Sequence, residues 1–282
     1  MSQISLTASM RSNLLSLQGT ADLMSQTQER LATGKKVNSA IDNPSSYYTA
    51  QSLNNRANDL SGLLDSMGQA VSTIKAANEG IEAITSFVEQ AKAVAQSALD
   101  TTDATSRKKY MDQFNEIRSQ IDATAEDAGY KGINLLRDQD LTVKFSDKAG
   151  SSLTIEGEDT TSGNDAGTTG LKIKKAAGWD GTGEQAAAAK TDIEAAITNT
   201  TNAINTLRTL ASTFGNNYSI VQTREEFTNN LINVLEEGAD KLTLADMNEE
   251  SANMLALQTR QQLAINSLSL ASQAAQSVLQ LF

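Results

Sequence analysis

The chain has 282 residues and a net charge of −11, with 34 acidic against 23 basic side chains, which argues against nucleic acid or an anionic membrane as its main partner. It contains neither cysteine nor histidine, which removes disulfides, thiol nucleophiles, imidazole bases and the two commonest transition-metal ligands. Aromatics are 4% and hydrophobics 39%, so burial must come from aliphatic side chains in narrow seams, which favours coiled coils over a thick core.

From Ile4 to about Thr33, apolar residues recur at Leu6, Met10, Leu14, Leu17, Ala21, Met24 and Leu31. This spacing of three and four predicts one amphipathic helix. Its other side is Ser, Thr, Gln and Asn with almost no charge, which suits a helix packed on several sides by protein better than a solvated one. Gly34 stands where a C′ glycine ends a helix, with Lys35 and Lys36 beside the unpaired carbonyls. Asn43 is placed to cap a second helix that starts at Pro44, the one proline of the chain.

That second helix is predicted to reach Leu99, with a heptad seam at Leu53, Ala57, Leu60, Leu64, Met67, Val71 and Ile74. The seam resumes at Ile81, Ile84, Val88, Ala91, Ala95 and Ala98 after one shortened step. Asp103 or Thr105 caps a shorter helix with Tyr110, Phe114, Ile117, Ile121, Ala125 and Ala128 on its seam, ended by Gly129 and Gly132.

Between Asp138 and Glu184 the period becomes two. Leu141, Val143 and Phe145, then Leu153 and Ile155, predict a β-hairpin around a turn at 147–150, with a third strand possible at Leu171 to Lys174. The Ser, Thr and Gly run from Gly157 to Gly170 reads as a surface loop that could be shortened, or glycosylated at Thr160, Thr161, Ser162, Thr168 or Thr169. From Glu184 the helical period returns at Ile193, Ile197, Thr200, Ile204, Leu207, Ala211, Phe214, Tyr218, Val221, Glu225, Thr228, Ile232, Leu235, Ala239 and Leu242. Glu225 and the two threonines either set register or face solvent, with the second preferred slightly.

After a weak point at Gly238, the last helix shows Met254, Leu257, Gln261, Ala264, Leu268, Ala271, Ala275, Val278 and Phe282 on one seam. Residues 261–282 carry no charge, but ten of the 22 are Gln, Asn or Ser, too polar for a bilayer. The N-terminal MSQISLTASMRSNLL shows no signal-peptide pattern. Both ends are long, amphipathic and nearly uncharged, as if made to pair. The fold class expected is therefore mainly α: a long antiparallel coiled-coil bundle with a small β-hairpin and paired terminal helices.

Nothing resembles a phosphate loop, metal cluster or nucleophile motif, so no cofactor and no enzyme activity is expected. The carboxylate pairs Glu249 with Glu250 and Glu225 with Glu226 point to different sides of their helices and read as solvated surface.

The run TGKKVNSAIDN, Thr33 to Asn43, resembles the N-terminal signature of bacterial flagellins. The stretch from Leu207 through Leu263, with FGNNYSIVQTREEFTNNL and ADMNEESANMLALQTRQQL, and the ending SVLQLF resemble that family's C-terminal half. The resemblance implies a secreted, extracellular filament subunit for swimming motility. It would form a homopolymer, with an export chaperone, a filament cap and hook-associated proteins as further partners. It also implies an inner domain built from 1–43 and 241–282, and an outer domain of 44–137 and 184–240 with a hairpin and surface loops at 138–183. The expected assembly interface is the terminal seam: Leu6, Met10, Leu14, Leu17, Met254, Leu257, Ala264, Leu268, Ala271, Ala275, Val278 and Phe282. The zinc-peptidase insertion of some flagellins needs histidine and is excluded. In flagellins that Toll-like receptor 5 recognises, one helix end resembles LQRVRELAVQSA; here it reads FVEQAKAVAQSA, with Glu89 and Ala91 in place of arginines, which implies weak or no recognition. The alternatives are a hook–filament junction adaptor with similar ends, which works in few copies, and a coiled-coil binding module that does not polymerise.

Overall fold

The computed structural model describes residues 8–146, 150–164 and 169–279. In chain order the elements are α1 (Ala8–Thr33), α2 (Pro44–Asp100), α3 (Ala104–Asp127), β1 (Leu141–Lys144), β2 (Ser152–Ile155), α4 (Ala186–Thr243) and α5 (Met247–Leu279), with short 3-10 turns at Leu135–Arg137 and Gly183–Gln185. The chain divides into two compact units. A terminal unit comprises Met1–Ala57 with Asn233–Phe282, and a central unit comprises Asn58–Ile232.

Helix limits follow local chemistry. The Gly34 N–H donates to the Arg30 carbonyl at 2.8 Å from a left-handed backbone (φ +72°), which closes α1. Asn43 Oδ1 accepts from the Ser46 N–H and opens α2 at Pro44. Asp103 caps α3 by accepting from both the hydroxyl and the N–H of Ser106, and these bonds hold its carboxyl below the usual range. Helix α4 runs through Gly238 without interruption and stops at Thr243.

The core of the central unit is a set of aliphatic seams. In α2 the buried residues Met67, Ala70, Ile74, Ala77, Ile81, Ile84, Val88, Ala91, Ala95 and Ala98 keep strict three-four alternation. The shortened step expected after Ile74 therefore falls before Ala70, because Ala70 and not Val71 holds the fully buried position. In α4 every expected seam position is buried or half-buried. Thr200 and Thr228 are buried rather than solvent-facing. Thr200 donates to the carbonyls of Ala196 and Ile197, so its hydroxyl enters the core already satisfied.

Strands β1 and β2 pair antiparallel, Leu141 with Ile155 and Val143 with Leu153, as the alternation predicts. Residues 171–174 do not form a strand. The N–H groups of Leu171 and Ile173 instead donate to the carbonyls of Thr161 and Ser162, folding this segment back on the preceding loop. That loop is not a surface loop at 160–162. Thr160 and Ser162 are fully buried and Thr161 nearly so, while Trp179 packs on Phe114 with ring centroids 5.2 Å apart. Side chains of α3 hold the segment. Asp122 accepts from the Ser162 N–H and hydroxyl, Arg118 donates to the Ile173 and Gly163 carbonyls, and Asn115 bonds both the N–H and the carbonyl of Ala176. These backbone groups have no sheet partner, so helix side chains satisfy them.

At Gly80, α2 lies close against Ala128, just past α3, and against Leu136. A Cβ there would lie 2.7 Å from Ala128 Cβ and 2.7 Å from Leu136 Cδ1, and Leu136 is fully buried and cannot swing away. Gly80→Ala gains about 1 kcal/mol of helix propensity, but overpacking of this kind costs about 1–3 kcal/mol. A lower urea midpoint is expected; an unchanged or raised midpoint would contradict this packing.

Candidate assembly interface

The terminal unit places the expected junction and seam residues as follows. The junction closes by backbone hydrogen bonds: Lys36 N–H to the Thr243 carbonyl at 2.8 Å, and Ala245 N–H to the Gly34 carbonyl at 3.0 Å. Asp42 braces the 38–42 loop by accepting from the N–H groups of Ser39 and Asn38 and from the Ser39 hydroxyl. Those bonds, the Ser39 N–H foremost, hold its carboxyl below the ordinary value of 3.8. A lowered folded pKa means that the stability contributed is complete above the unfolded value and is lost as pH falls through the folded one, so this loop loosens only in strong acid. Around the junction lies an open cavity of about 610 Å³ whose lining includes Arg30, Lys36, Asp42, Lys241, Asp246 and Glu250.

Helices α1 and α5 pack against each other. Arg30, near the end of α1, donates to Glu250, at the start of α5, at 2.9 Å, so the two run antiparallel. Glu250 is only 7% exposed, which corrects the expectation that it is solvated surface. On α5 the inward positions are Glu250, Met254, Leu257, Gln261, Ala264, Leu268 and Ala271, a strict heptad seam as read from the sequence. On α1 the inward positions are Met10, Asn13, Leu17, Thr20, Met24, Thr27 and Leu31. This too is a strict heptad seam, but with polar residues at every second step. Leu14, placed on the seam by hydrophobicity alone, is 38% exposed and belongs to the outer side. Thr20 is buried because its hydroxyl donates to the Ser16 carbonyl at 2.8 Å. Leu6 and Phe282 lie outside the described residues, as do the side chains of Ala275 and Val278.

The Arg30–Glu250 pair had no hydrophobic signal to betray it. It sits one heptad step before Met254 in α5, where the seam spacing calls for an inward residue. Glu250→Ala removes a charged hydrogen bond worth roughly 1.5–3 kcal/mol. Hydrogen exchange at the start of α5 and the end of α1 is expected to quicken more than tenfold, with the central unit unaffected; equal protection in both proteins would show that the pair holds nothing.

Both helices also carry an apolar outer side. Leu15 is 72% exposed, Leu23 51%, Leu255 66%, Leu263 60% and Leu270 67%. A terminal pair that satisfies its own seam still leaves a row of leucines in water, more than scattered surface residues would account for. Such a pair can bury the rest only against other protein. Among the described residues, no helix is long and apolar enough to cross a membrane, and no group of three or more acidic side chains could hold a metal ion.

Comparison with known proteins identifies the family by sequence. The family model for the bacterial flagellin N-terminal helical region matches residues 4–140, and that for the C-terminal helical region matches 197–282. The chain is 31% identical to flagellin FljM of Caulobacter vibrioides over 95% of this chain and 94% of that one. It is 30% identical to a flagellin of Brucella melitensis, over 95% of both. A crystal structure of Bacillus cereus flagellin aligns with 58% of this chain and 88% of its own, at 19% identity and a TM-score of 0.47. The chain belongs to the bacterial flagellin family, and it is a structural subunit of the flagellar filament.

Proposed function

We propose that the α1–α5 pair forms the inner contacts of the filament, with Met10, Leu17, Met254, Leu257, Ala264, Leu268 and Ala271 closing the pair. In this reading Leu14 and the outward leucines touch neighbouring copies, and Leu6, Ala275, Val278 and Phe282 extend the same contacts. The observation that carries it is the outer row of exposed leucines on helices whose far end, residues 261–282, has no charge. Copies stacked through such surfaces make a heterologous contact that does not close, and the product is a helical polymer. Purified chain seeded with filament fragments is expected to elongate them under electron microscopy. Sedimentation as monomer or dimer at high concentration, with no elongation, would point to a binding module. A few copies confined to one end would point to a junction adaptor.

The same reading includes secretion, an export chaperone, a distal cap and hook-associated proteins as partners, and no catalytic activity or cofactor. Toll-like receptor 5 is expected to respond weakly. Ala91 is 1% exposed and presents no side chain to any partner, so the comparison rests on Glu89, an exposed acid where the recognised pattern has an arginine. A reporter-cell response equal to that of an arginine-bearing flagellin would overturn this part.

A further inference from the structure

We propose that a cleft between α4 and the 174–179 segment binds one carboxylated sugar unit, the uronic acid of an acidic polysaccharide. The cleft has a volume of about 190 Å³ and lies wholly within the central unit. On one wall α4 presents Asp192, Ala195, Ala196 and Asn199, at steps of three, four and seven residues and so on one side of the helix. The other wall is the segment itself, with Lys174 and Lys175 beside Trp179.

What points to a ligand is a set of polar groups that the chain leaves without partners. Trp179 is 1% exposed, yet its indole N–H has no acceptor among the described residues. It lines the cleft, where a molecule bound there can supply the acceptor that the protein does not. Lys174, Lys175, Asp192 and Asn199 likewise make no side-chain hydrogen bond or ion pair among the described residues. Charges of opposite sign thus stand on the two walls without closing the gap. The polar side chains of α3 nearby differ, since Asn115, Arg118 and Asp122 are all engaged by the backbone of the 162–176 stretch.

The gap stays open because both walls are fixed. Asn115 holds the N–H and the carbonyl of Ala176 at 2.9 and 3.0 Å, and Arg118 holds the Ile173 carbonyl at 3.0 Å. Opposite, Ile193 and Ala196 anchor α4 in the core. A site whose walls are set before the ligand arrives has little ordering left to do.

The chemistry of the walls selects the occupant. Two ammonium groups and one carboxylate leave a net positive charge, which favours a ligand with one anionic group over a neutral or zwitterionic one. Asp192 only accepts, so it takes hydroxyl donors, while the Asn199 carboxamide both donates and accepts, as neighbouring sugar hydroxyls require. The methyl groups of Ala176, Ala177, Ala195 and Ala196 offer apolar surface to the C–H side of a pyranose ring, which a bare sulfate or phosphate would leave unused. Size sets the limit. Pockets for drug-sized ligands run to about 300–1,000 Å³, so this cleft takes one ring and not a longer run of sugars.

The test uses the soluble chain and needs no polymer, so its failure leaves the filament reading untouched. One tryptophan gives one indole N–H signal in a nitrogen–proton correlation spectrum. Titration with D-glucuronate is expected to move that signal to lower field, saturably and with a millimolar Kd, as the N–H gains an acceptor. D-Glucose has the ring without the charge, acetate the charge without the ring, and L-glutamate the charge on a flexible chain. All three are expected to bind about tenfold more weakly or worse, the loss of one charged hydrogen bond or of the ring contact. Lys174→Gln with Lys175→Gln is expected to weaken glucuronate by about tenfold or more, with the melting temperature of the monomer unchanged. Ala195→Leu, which fills the cleft from an exposed helix position and removes no polar group, is expected to do the same. Lys172→Gln changes an exposed lysine outside the cleft lining and is expected to alter binding less than about twofold, as a screened surface charge does. An indole signal that stays still, a control that binds as well as glucuronate, cleft variants that bind like wild type, or an equal loss in Lys172→Gln each overturns the proposal.

Discussion

Deleting residues 157–170 is expected to unfold the central unit. Composition argues the opposite, since a polar loop without apolar periodicity gives up little burial and its length alters closure entropy only slightly. What decides the outcome is where its hydrogen bonds go. The N–H groups of Glu158 and Thr160 donate to the carbonyls of Leu135 and Leu136, at 2.8 and 3.0 Å, and both of those leucines are fully buried. Ser162 supplies two donors to Asp122, and its removal would leave that carboxylate without them. The segment also supplies the Thr161 and Ser162 carbonyls that accept from the N–H groups of Leu171 and Ile173. Leaving several such groups unsatisfied at about 1–3 kcal/mol each totals on the order of the 5–15 kcal/mol that holds a whole domain folded. The deletion variant is expected to be insoluble, or to lose its cooperative thermal transition. A soluble variant melting within a few degrees of wild type would restore the view of a dispensable loop. For the same reason Thr160, Thr161 and Ser162 are poor glycan acceptors: they are buried, and the Thr160, Thr161 and Ser162 hydroxyls already donate to Leu136, Asp159 and Asp122.

The helices were legible because long seams leave a periodic trace. Pro44, Asn43 and Gly34 mark a helix start and stop by backbone chemistry that does not depend on tertiary context. The α4 seam and the hairpin register were readable for the same reason. The errors share another cause. At Leu14, hydrophobicity named the wrong residue: Asn13 holds the inward position, and it is spacing from Met10 and Leu17 that reveals it. Thr20 and Ser162 are buried because a local carbonyl or a distant carboxylate satisfies them, and composition does not register such partners. Asp122 lies 40 residues before Ser162, and Glu250 lies 220 after Arg30. Pairings of that separation become visible only when the chain is folded.

Removing Leu268 to Phe282 is expected to abolish filament formation while leaving the central unit folded. Leu268 and Ala271 are half-buried on the α5 seam, and Leu270 is exposed on its outer side, so the truncation strikes both surfaces of the terminal pair. Burying a side chain such as Leu is worth about 1.5–3 kcal/mol. The cut removes Leu268, Leu270, Val278, Leu279, Leu281 and Phe282 from each copy. In a polymer the loss recurs at every subunit, whereas each open contact holds only a modest net energy after the entropy of association is subtracted. The partner helix suffers as well: in the antiparallel register set by Arg30 and Glu250, Met10 lies opposite the removed stretch, and a helix of 26 residues with polar groups at alternate seam positions has little stability alone. None of the described residues removed belongs to the core of the central unit, so its melting temperature should stay within about 3 °C of wild type, about the shift a 1 kcal/mol change produces in a domain of this size. The measurements are filament length by electron microscopy, spreading in soft agar, and a thermal melt of the monomer. Cells with filaments of normal length on the truncated chain would show that the assembly contacts lie elsewhere. A collapsed melt would instead mean that α5 supports the fold and not the polymer.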